Sequence, residues 1–151
     1  EMRGEHTPET EEYGISSFVF RARKPFHPQR FFQVMEGQLD KVVRSKGYFW
    51  LASQPETAGI WSQAGGVSHF EMAGRWWVNV PEEQWPDDPE SLQYIMRYWL
   101  DDIGDSRQEL VFIGMGMDEI RIREQLTAAL LTPEEMAYPA SVWSAQPDPF
   151  A

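Results

Sequence analysis

The sequence predicts an α+β fold, in which a mostly antiparallel sheet carries helices on one face as a ferredoxin-like sandwich. Two observations predict it. Segments in which apolar residues alternate, as in strands, are interspersed with segments in which they recur every three or four residues, as in helices. Their order is strand, helix, three strands, helix, strand, helix, and the chain has no internal repeat. The length of 151 residues fits one domain.

The first strand and the first helix have clear patterns. Residues 13–22 alternate between two faces and are rich in β-branched and aromatic side chains, which favours a strand. His27 and Pro28 then begin a helix, because proline is tolerated at the first helical position. The apolar stripe of this helix runs at spacings of three and four through Phe31, Phe32, Met35, Leu39 and Val42.

Three strands are predicted after this helix. Gly47 lies within the first of them as a candidate bulge. The chain turns at residues 53–59, which contain a proline and a glycine. Gly65 and Gly66 then predict a hairpin turn between the second and the third strand. The three strands are expected at residues 43–52, 59–67 and 69–80.

The C-terminal half alternates helices with one strand. Residues 81–89 hold three prolines and four acids, which predicts a loop. Apolar residues from 91 to 103 follow a helical template, and Gly104 ends that helix. Residues 108–114 have the continuous apolar centre typical of a strand in the middle of a sheet. A further amphipathic helix is predicted at residues 118–131.

Both ends of the chain are predicted to lie outside the main domain. Residues 1–12 are polar and acidic without periodicity, so we interpret them as a linker tail that follows a missing upstream domain. Near the other end, Thr132 and Glu135 match a capping box, which predicts a short last helical turn. Residues 137–151 are interpreted as a Pro-rich C-terminal tail.

The charge distribution bears on the kind of partner. A net charge of −11 argues against nucleic acid, because the chain as a whole repels phosphate backbones. Between Arg21 and Lys46, however, seven basic side chains face only two acidic ones. Such a segment can dock another domain or a protein, although solvated surface charge is commoner and the sheet face is an alternative docking surface. The candidate partner-surface residues are Arg21, Arg23, Lys24, His27, Arg30, Arg44 and Lys46.

The compartment is predicted from two absences in the sequence. There is no cysteine, which excludes disulfides, thiolate nucleophiles and CxxC zinc sites and fits a reducing compartment. No apolar run approaches 18 residues, and no signal-peptide core is present. We therefore expect a cytoplasmic address and no membrane partner.

Local motifs predict no catalytic or cofactor-binding residue within this chain. Gly114 and Gly116 resemble half of a dinucleotide fingerprint, but Glu119 stands where the third glycine belongs. Asp118 and Glu119 would repel a pyrophosphate at that helix N-terminus, so a turn with a helix cap is the favoured interpretation. No GxxxxGK[ST] loop and no nucleophile elbow occur.

Metal binding within the chain is also not predicted. Only three histidines are present, and His6 falls in the presumed tail. His27 stands at a helix entrance, while His69 and Glu71 would share one face of a strand. Two ligands make a weak site. A metal- or ligand-binding α+β domain in its own right remains the alternative function.

Four blocks of sequence, in order, resemble the CobW C-terminal domain. They are residues 13–31 (YGISSFVFRARKPFHPQRF), 44–52 (RSKGYFWLA), 61–66 (WSQAGG) and 107–114 (RQELVFIG). The resemblance covers residues 13–136, which we take as the domain. It implies a C-terminal interaction or regulatory module of a P-loop GTPase whose upstream domain carries a CxCC metal motif.

The same resemblance implies what the parent protein does. Proteins of this type are linked to zinc homeostasis, cobalamin synthesis and nitrile hydratase activation, as chaperones that deliver metal under GTP control. GTP, Mg and Zn or Co are implied for the upstream domain, and none of them for this chain. The implied partners are the protein's own N-terminal GTPase domain and a metalloprotein client, whereas the chain alone is not expected to be an enzyme.

Overall fold

The computed structural model describes residues 14–37 and 39–151, apart from the side chain of Ala73. Two short 3-10 turns span Trp77–Asn79 and Glu82–Gln84. The five strands are β1 (Ile15–Ala22), β2 (Val42–Leu51), β3 (Gln54–Ala64), β4 (Val67–Arg75) and β5 (Gln108–Met115). The five helices are α1 (Pro28–Glu36), α2 (Pro89–Arg97), α3 (Glu119–Ala129), α4 (Pro133–Met136) and α5 (Ala140–Ser144).

The strands form one antiparallel sheet in the order β1-β5-β2-β3-β4. The predicted α+β class and the predicted order of elements are confirmed. Strand β5, whose apolar centre predicted a central position, lies between β1 and β2. The Gly65-Gly66 turn joins β3 to β4, as the sequence indicates.

The hydrophobic core lies between α1, α3 and one face of the sheet, which we call the core face. Phe26 stacks on Phe31 with ring centroids 4.1 Å apart, and Phe18 stacks on Phe112 at 5.2 Å. Such aromatic pairs add to the free energy of burying the rings. The core cluster comprises Phe18, Phe20, Phe26, Phe31, Met35, Phe49, Leu51, Trp61, Leu110, Phe112, Ile122, Leu126, Ala129 and Phe150.

Helix α1 is shorter than its apolar stripe predicts. It ends at Glu36, although Leu39 and Val42 still pack against the core. Lys41 adopts a left-handed backbone with φ of 65°, and its carbonyl accepts a hydrogen bond from the N–H of Met115 at 3.1 Å. The stripe continues after the helix has ended because loop residues can fill the same apolar surface.

The turn predicted at residues 53–59 is wrong. Ala52 and Ser53 alone connect β2 to β3, which begins at Gln54. Pro55 is accommodated near the start of the strand, beside a register shift at Trp50 and Leu51. A proline is tolerated at a strand start or a bulge, where a ladder hydrogen bond from its position is not needed.

Gly47 does not mark a bulge, because the pairing of β2 with β3 is regular around it. Its φ of 146° is a conformation that L side chains rarely adopt. A Cβ at this position would stand 2.0 Å from the carbonyl oxygen of Glu109. The glycine is therefore required by the close approach of β2 and β5.

Two other element boundaries differ from the prediction. Strand β4 ends at Arg75 rather than at residue 80, and a 3-10 turn follows. Helix α2 begins at Pro89, capped by the Asp88 carboxylate, and ends at Arg97 rather than at residue 103. The apolar residues beyond Arg97 pack in irregular backbone, which periodicity cannot distinguish from helix.

The C-terminal segment folds back onto the core. Phe150 is buried and lies 5.6 Å from Phe31 and 5.3 Å from Phe49, between ring centroids. The Asp148 carboxylate accepts hydrogen bonds from Ser53 Oγ at 2.6 Å and from Gln54 Nε2 at 2.8 Å. Residues 137–151, although rich in proline, thus contribute α5 and a core aromatic to the folded unit.

Candidate docking surface

On the face of the sheet opposite the core face, which we call the open face, the described residues form no long helix. Strand alternation places Tyr48, Glu109 and Arg107 at one end of it. Residues 76–107, which we call the cover segment, pack over this end. Trp76 is buried and lies 6.4 Å from the Tyr48 ring. One end of the open face is therefore covered by the chain itself.

Buried charges hold the cover segment in place. The Asp105 carboxylate accepts hydrogen bonds from the N–H groups of Trp77 and Val78, each at 3.0 Å. Arg107, only 6% exposed, pairs with Glu109 at 2.9 Å and places its guanidinium carbon 3.8 Å from the Tyr98 ring centroid. Buried charges are costly unless they are paired. The Asp105 and Tyr98 contacts hold the cover segment together, and the Arg107–Glu109 pair joins it to β5.

Arg23 joins β1 to the same segment. Its guanidinium donates to the carbonyl of Gly104 at 3.2 Å, to that of Ser106 at 3.1 Å, and to that of Tyr98. Burial, followed by the positive charge of Arg107, lowers the pKa of Arg23 from its usual value. Arg23 is therefore committed to contacts within the domain.

At the other end of the open face, which we call the free end, several side chains are exposed, and the cover segment does not extend over it. Register places Arg44 beside Ile113 and Lys46 beside Val111. Both cations are exposed, and neither forms an ion pair within the described part of the chain. Exposed apolar side chains lie at the same end, with fractional exposures of 38% for Ile15, 62% for Val67 and 53% for Met115.

The seven candidate partner-surface residues therefore separate into groups. Arg44 and Lys46 lie together at the free end, and Arg21 lies on the open face opposite Glu109. Lys24 is exposed in the loop after β1. Their role toward a partner stays a prediction. The remaining three, Arg23, His27 and Arg30, make contacts within the domain.

His27 and Arg30 both act at the N-terminus of α1. His27 Nδ1 accepts a hydrogen bond from the Arg30 N–H at 3.4 Å and so caps the helix. Burial and the neighbouring Arg30 charge lower the pKa of His27. Arg30 forms a bidentate pair with Glu135, at 2.9 and 2.6 Å, and this pairing lowers the pKa of Glu135 to about 2.

Glu135 also belongs to the predicted capping box, which is confirmed. Its carboxylate accepts from the Thr132 N–H at 2.8 Å, while the Glu135 N–H donates to Thr132 Oγ1 at 3.1 Å. One carboxylate thus caps α4 and binds α1 through Arg30. This explains why Arg30, the basic residue of α1, is not available to bind a partner.

The glycine-containing turn before α3 has the structure of a helix cap. The Asp118 carboxylate accepts a hydrogen bond from the Arg121 N–H at 3.1 Å. At Gly114, a Cβ would stand 2.3 Å from the Lys41 carbonyl oxygen. Gly114 is therefore explained by a close approach of two backbones and Asp118 by capping.

The two histidines among the described residues, His27 and His69, lie in different parts of the domain. In residues 14–37 and 39–151, no group of three or more His, Asp or Glu side chains is arranged to hold a metal ion. His69 and Glu71 both lie on the open face of β4, as expected, whereas His27 is part of the α1 cap. His6 lies outside the described residues. No helix in the described ranges is long and apolar enough to cross a membrane.

Two buried polar residues near the covered end, Asp105 and Gln108, were not identified from the sequence. Asp105 lies in a run of acids that composition identifies as solvated surface, yet it is 4% exposed. Gln108 is completely buried, where its side chain accepts from the Trp50 N–H and donates to the carbonyls of Trp50 and Lys24. The signal in the sequence was their position, since Asp105 lies shortly before the apolar strand β5 and Gln108 is its first residue.

These features define a small α+β accessory domain with one sheet face partly available for contact. The chain belongs to the CobW C-terminal family, because the family model described as "Cobalamin synthesis protein cobW C-terminal domain" matches residues 15–130. The resemblance stated from the sequence is thereby confirmed.

Curated relatives agree with this assignment. One relative is the "Zinc-regulated GTPase metalloprotein activator 1" of Dictyostelium discoideum, with 39% sequence identity. The alignment covers 99% of this chain and 32% of that protein. A zinc chaperone of Mycobacterium tuberculosis is 35% identical, in an alignment that covers 90% of this chain and 34% of the chaperone. The chain therefore spans about a third of these relatives, in a family that includes metallochaperones.

A solved structure has the same fold. The superposition on the Zn(II)-bound YjiA GTPase from E. coli covers 83% of this chain and 33% of the YjiA chain, with a TM-score of 0.57 and 19% sequence identity. At that identity the likeness concerns the fold alone.

Proposed function

We propose that this chain is the C-terminal interaction module of a GTP-dependent chaperone for zinc or cobalt, and that its free end docks the protein's own GTPase domain. The observation that carries the proposal is the free end itself, where two cations with no ion pair among the described residues stand beside exposed apolar side chains. Relatives about three times as long, one of them named "Zinc-regulated GTPase metalloprotein activator 1", support the presence of a second domain.

The composition of the free end suits a domain interface. Complete burial of an exposed Met, Ile or Val side chain is worth about 1.5–3 kcal/mol, and these partly exposed side chains would contribute a fraction of that to a complex. Arg44 and Lys46 can lay their aliphatic stems on Ile113 and Val111 while their charged groups meet acids of the partner. The partner surface should therefore be apolar at its centre and acidic at its edge.

The reactive groups belong, in this proposal, to the GTPase domain. GTP and Mg²⁺ would bind its P-loop, and Zn²⁺ or Co²⁺ its CxCC motif. The role of this chain is to position that domain or to present it to a metalloprotein client. Reading the gene on the 5′ side of the Glu1 codon tests the first part, since GxxxxGK[ST] followed by CxCC should appear there.

Calorimetric titration of this chain with the separately expressed GTPase domain tests the docking. The double variant Arg44→Glu with Lys46→Glu should weaken binding by about a hundredfold, since like charges replace favourable contacts. The matched control, Arg75→Glu with Arg121→Glu, changes the charge equally at exposed positions away from the free end and should leave the affinity within about threefold. Equal effects of both double variants would remove the free end from consideration.

A further inference from the structure

The two edges of the sheet differ in how their backbone groups are protected. At the β1 edge, the guanidinium of Arg123 donates to the Val19 carbonyl at 3.2 Å and lies 4.7 Å from the Phe18 ring. Gly116 also donates its N–H to the Gly14 carbonyl at 3.1 Å. Side chain and loop thus cover part of this edge.

The β4 edge lacks such protection. Within the described ranges, no hydrogen bond reaches residues 67–75 except those of the pairing with β3, and Arg75 forms an exposed ion pair with Glu56. Val67 and Phe70 are 62% and 42% exposed. An unpaired edge with exposed apolar side chains is a template for another strand.

A bulge limits the part of β4 that can accept a strand. Met72 pairs with Gly59 and Gly74 with Ala58, so residue 73 is extra on β4. The regular edge therefore runs over residues 67–72. It contains no lysine or proline, the residues that commonly block edge pairing.

We propose that a second copy of this chain pairs with this edge, β4 against β4 and antiparallel, with the two-fold axis at Phe70. The resulting sheet would have ten strands and a core face continuous across the two copies. The inference concerns the sheet edge and does not depend on the docking proposed for the free end.

Symmetry and charge select the register. In a two-fold antiparallel pair, side chains opposite each other must lie on the same face, so the axis passes through a residue and not between residues. An axis at Glu71 places two carboxylates opposite each other, and an axis at His69 places two imidazoles opposite each other. An axis at Phe70 places each His69 opposite the second copy's Glu71, which is favourable and occurs twice.

The Phe70 register also satisfies the core face. The two Phe70 rings meet at the axis, and Ser68 of each copy faces Met72 of the other. Phe70 already packs edge-on against Phe150, with ring centroids 4.8 Å apart, so it is held in place before the copies meet. A contact of one short strand per copy is small, and we expect association in the micromolar range.

Sedimentation equilibrium tests the proposal. We expect the chain to change from 17.6 kDa to twice that mass as its concentration rises through about 1–100 μM. His69→Glu should raise the dissociation constant about tenfold, because the new carboxylate at position 69 of each copy would lie opposite Glu71 of the other and repel it. His69→Glu combined with Glu71→His exchanges the two partners and should restore the constant to within about threefold.

Gln93→Glu is the control, since it introduces a carboxylate at an exposed position of α2, away from the β4 edge, and should leave association unchanged. Circular dichroism would verify that each variant keeps the fold. Three results would each overturn the proposal: a mass of 17.6 kDa up to about 500 μM, a dimer insensitive to His69→Glu, or a double variant as weak as the single one.

Discussion

The covered end and the free end of the open face are built from the same strands, but their charged side chains have opposite roles. At the covered end, Asp105 and Arg107 are buried and have partners. Asp105 holds the cover segment together, and Arg107 joins it to Glu109 of β5. At the free end, Arg44 and Lys46 are exposed and unpaired within the described residues. A charged side chain that has a partner within the domain therefore stabilises the fold, whereas one without such a partner among the described residues can contact another protein.

The largest difference between the ends should appear when an apolar side chain is removed. Trp76→Ala should lower the free energy of unfolding by about 3–5 kcal/mol, because it leaves a cavity between the cover segment and Tyr48. Met115→Ala at the free end should change it by no more than about 0.5 kcal/mol. Urea denaturation measures both, and similar losses would contradict the division into a covered and a free end.

Removing one buried carboxylate should have the next largest effect. Asp105→Ala deprives the N–H groups of Trp77 and Val78 of their acceptor, which should cost about 2–3 kcal/mol. Asp102→Ala removes an exposed acid from the same run and serves as the control, with almost no expected change. If both variants melt alike, Asp105 is not an anchor of the cover segment.

The Arg30–Glu135 pair should make stability depend on pH. The pKa of Glu135 in the folded chain is about 2, below its usual 4.5, so the unfolded chain binds the proton more readily. The stabilisation is complete above pH 4.5 and is lost as the pH falls toward 2. It should amount to about 1 kcal/mol, because the pair is partly exposed.

Comparison with Glu135→Gln isolates this contribution. The difference in unfolding free energy between the two proteins should shrink steadily as the pH falls from 4.5 to 2. A difference that stays constant over this range would show that the charge of Glu135 contributes nothing to stability.

The smallest effect is expected at the free cations. Arg44→Ala and Lys46→Ala should each alter the free energy of unfolding by less than about 0.5 kcal/mol, since neither side chain has a partner to lose in the described part of the chain. Arg23→Ala is the informative contrast, because it removes three hydrogen bonds to the cover segment. A loss at Lys46 as large as that at Arg23 would contradict the comparison.

Local patterns were sufficient to predict the fold class and the order of elements. Apolar alternation in β1 and helical spacing in α3 are the direct result of burying one face, so they can be observed in the sequence. Boundaries were less accurate where loop residues such as Leu39 fill the same core. The turn beginning at Ala52 was missed because its tight geometry depends on the pairing partner.

The candidate surface was predicted less well, for a different reason. Arg23 and Arg44 look alike in the sequence, and only tertiary contacts make one an internal anchor and the other an exposed cation. The partner of Arg23 lies about eighty residues away, at Gly104 and Ser106. No local pattern reports a contact over such a separation.

Oxidation of two methionines tests the proposed docking most directly. Met115 at the free end and Met96 on α2 are almost equally exposed, at 53% and 51%. Dilute hydrogen peroxide should oxidise both at similar rates in the isolated chain, as followed by mass spectrometry. With the GTPase domain bound, Met115 should be protected while Met96 continues to react. Equal oxidation of both methionines in the complex would contradict docking through the free end.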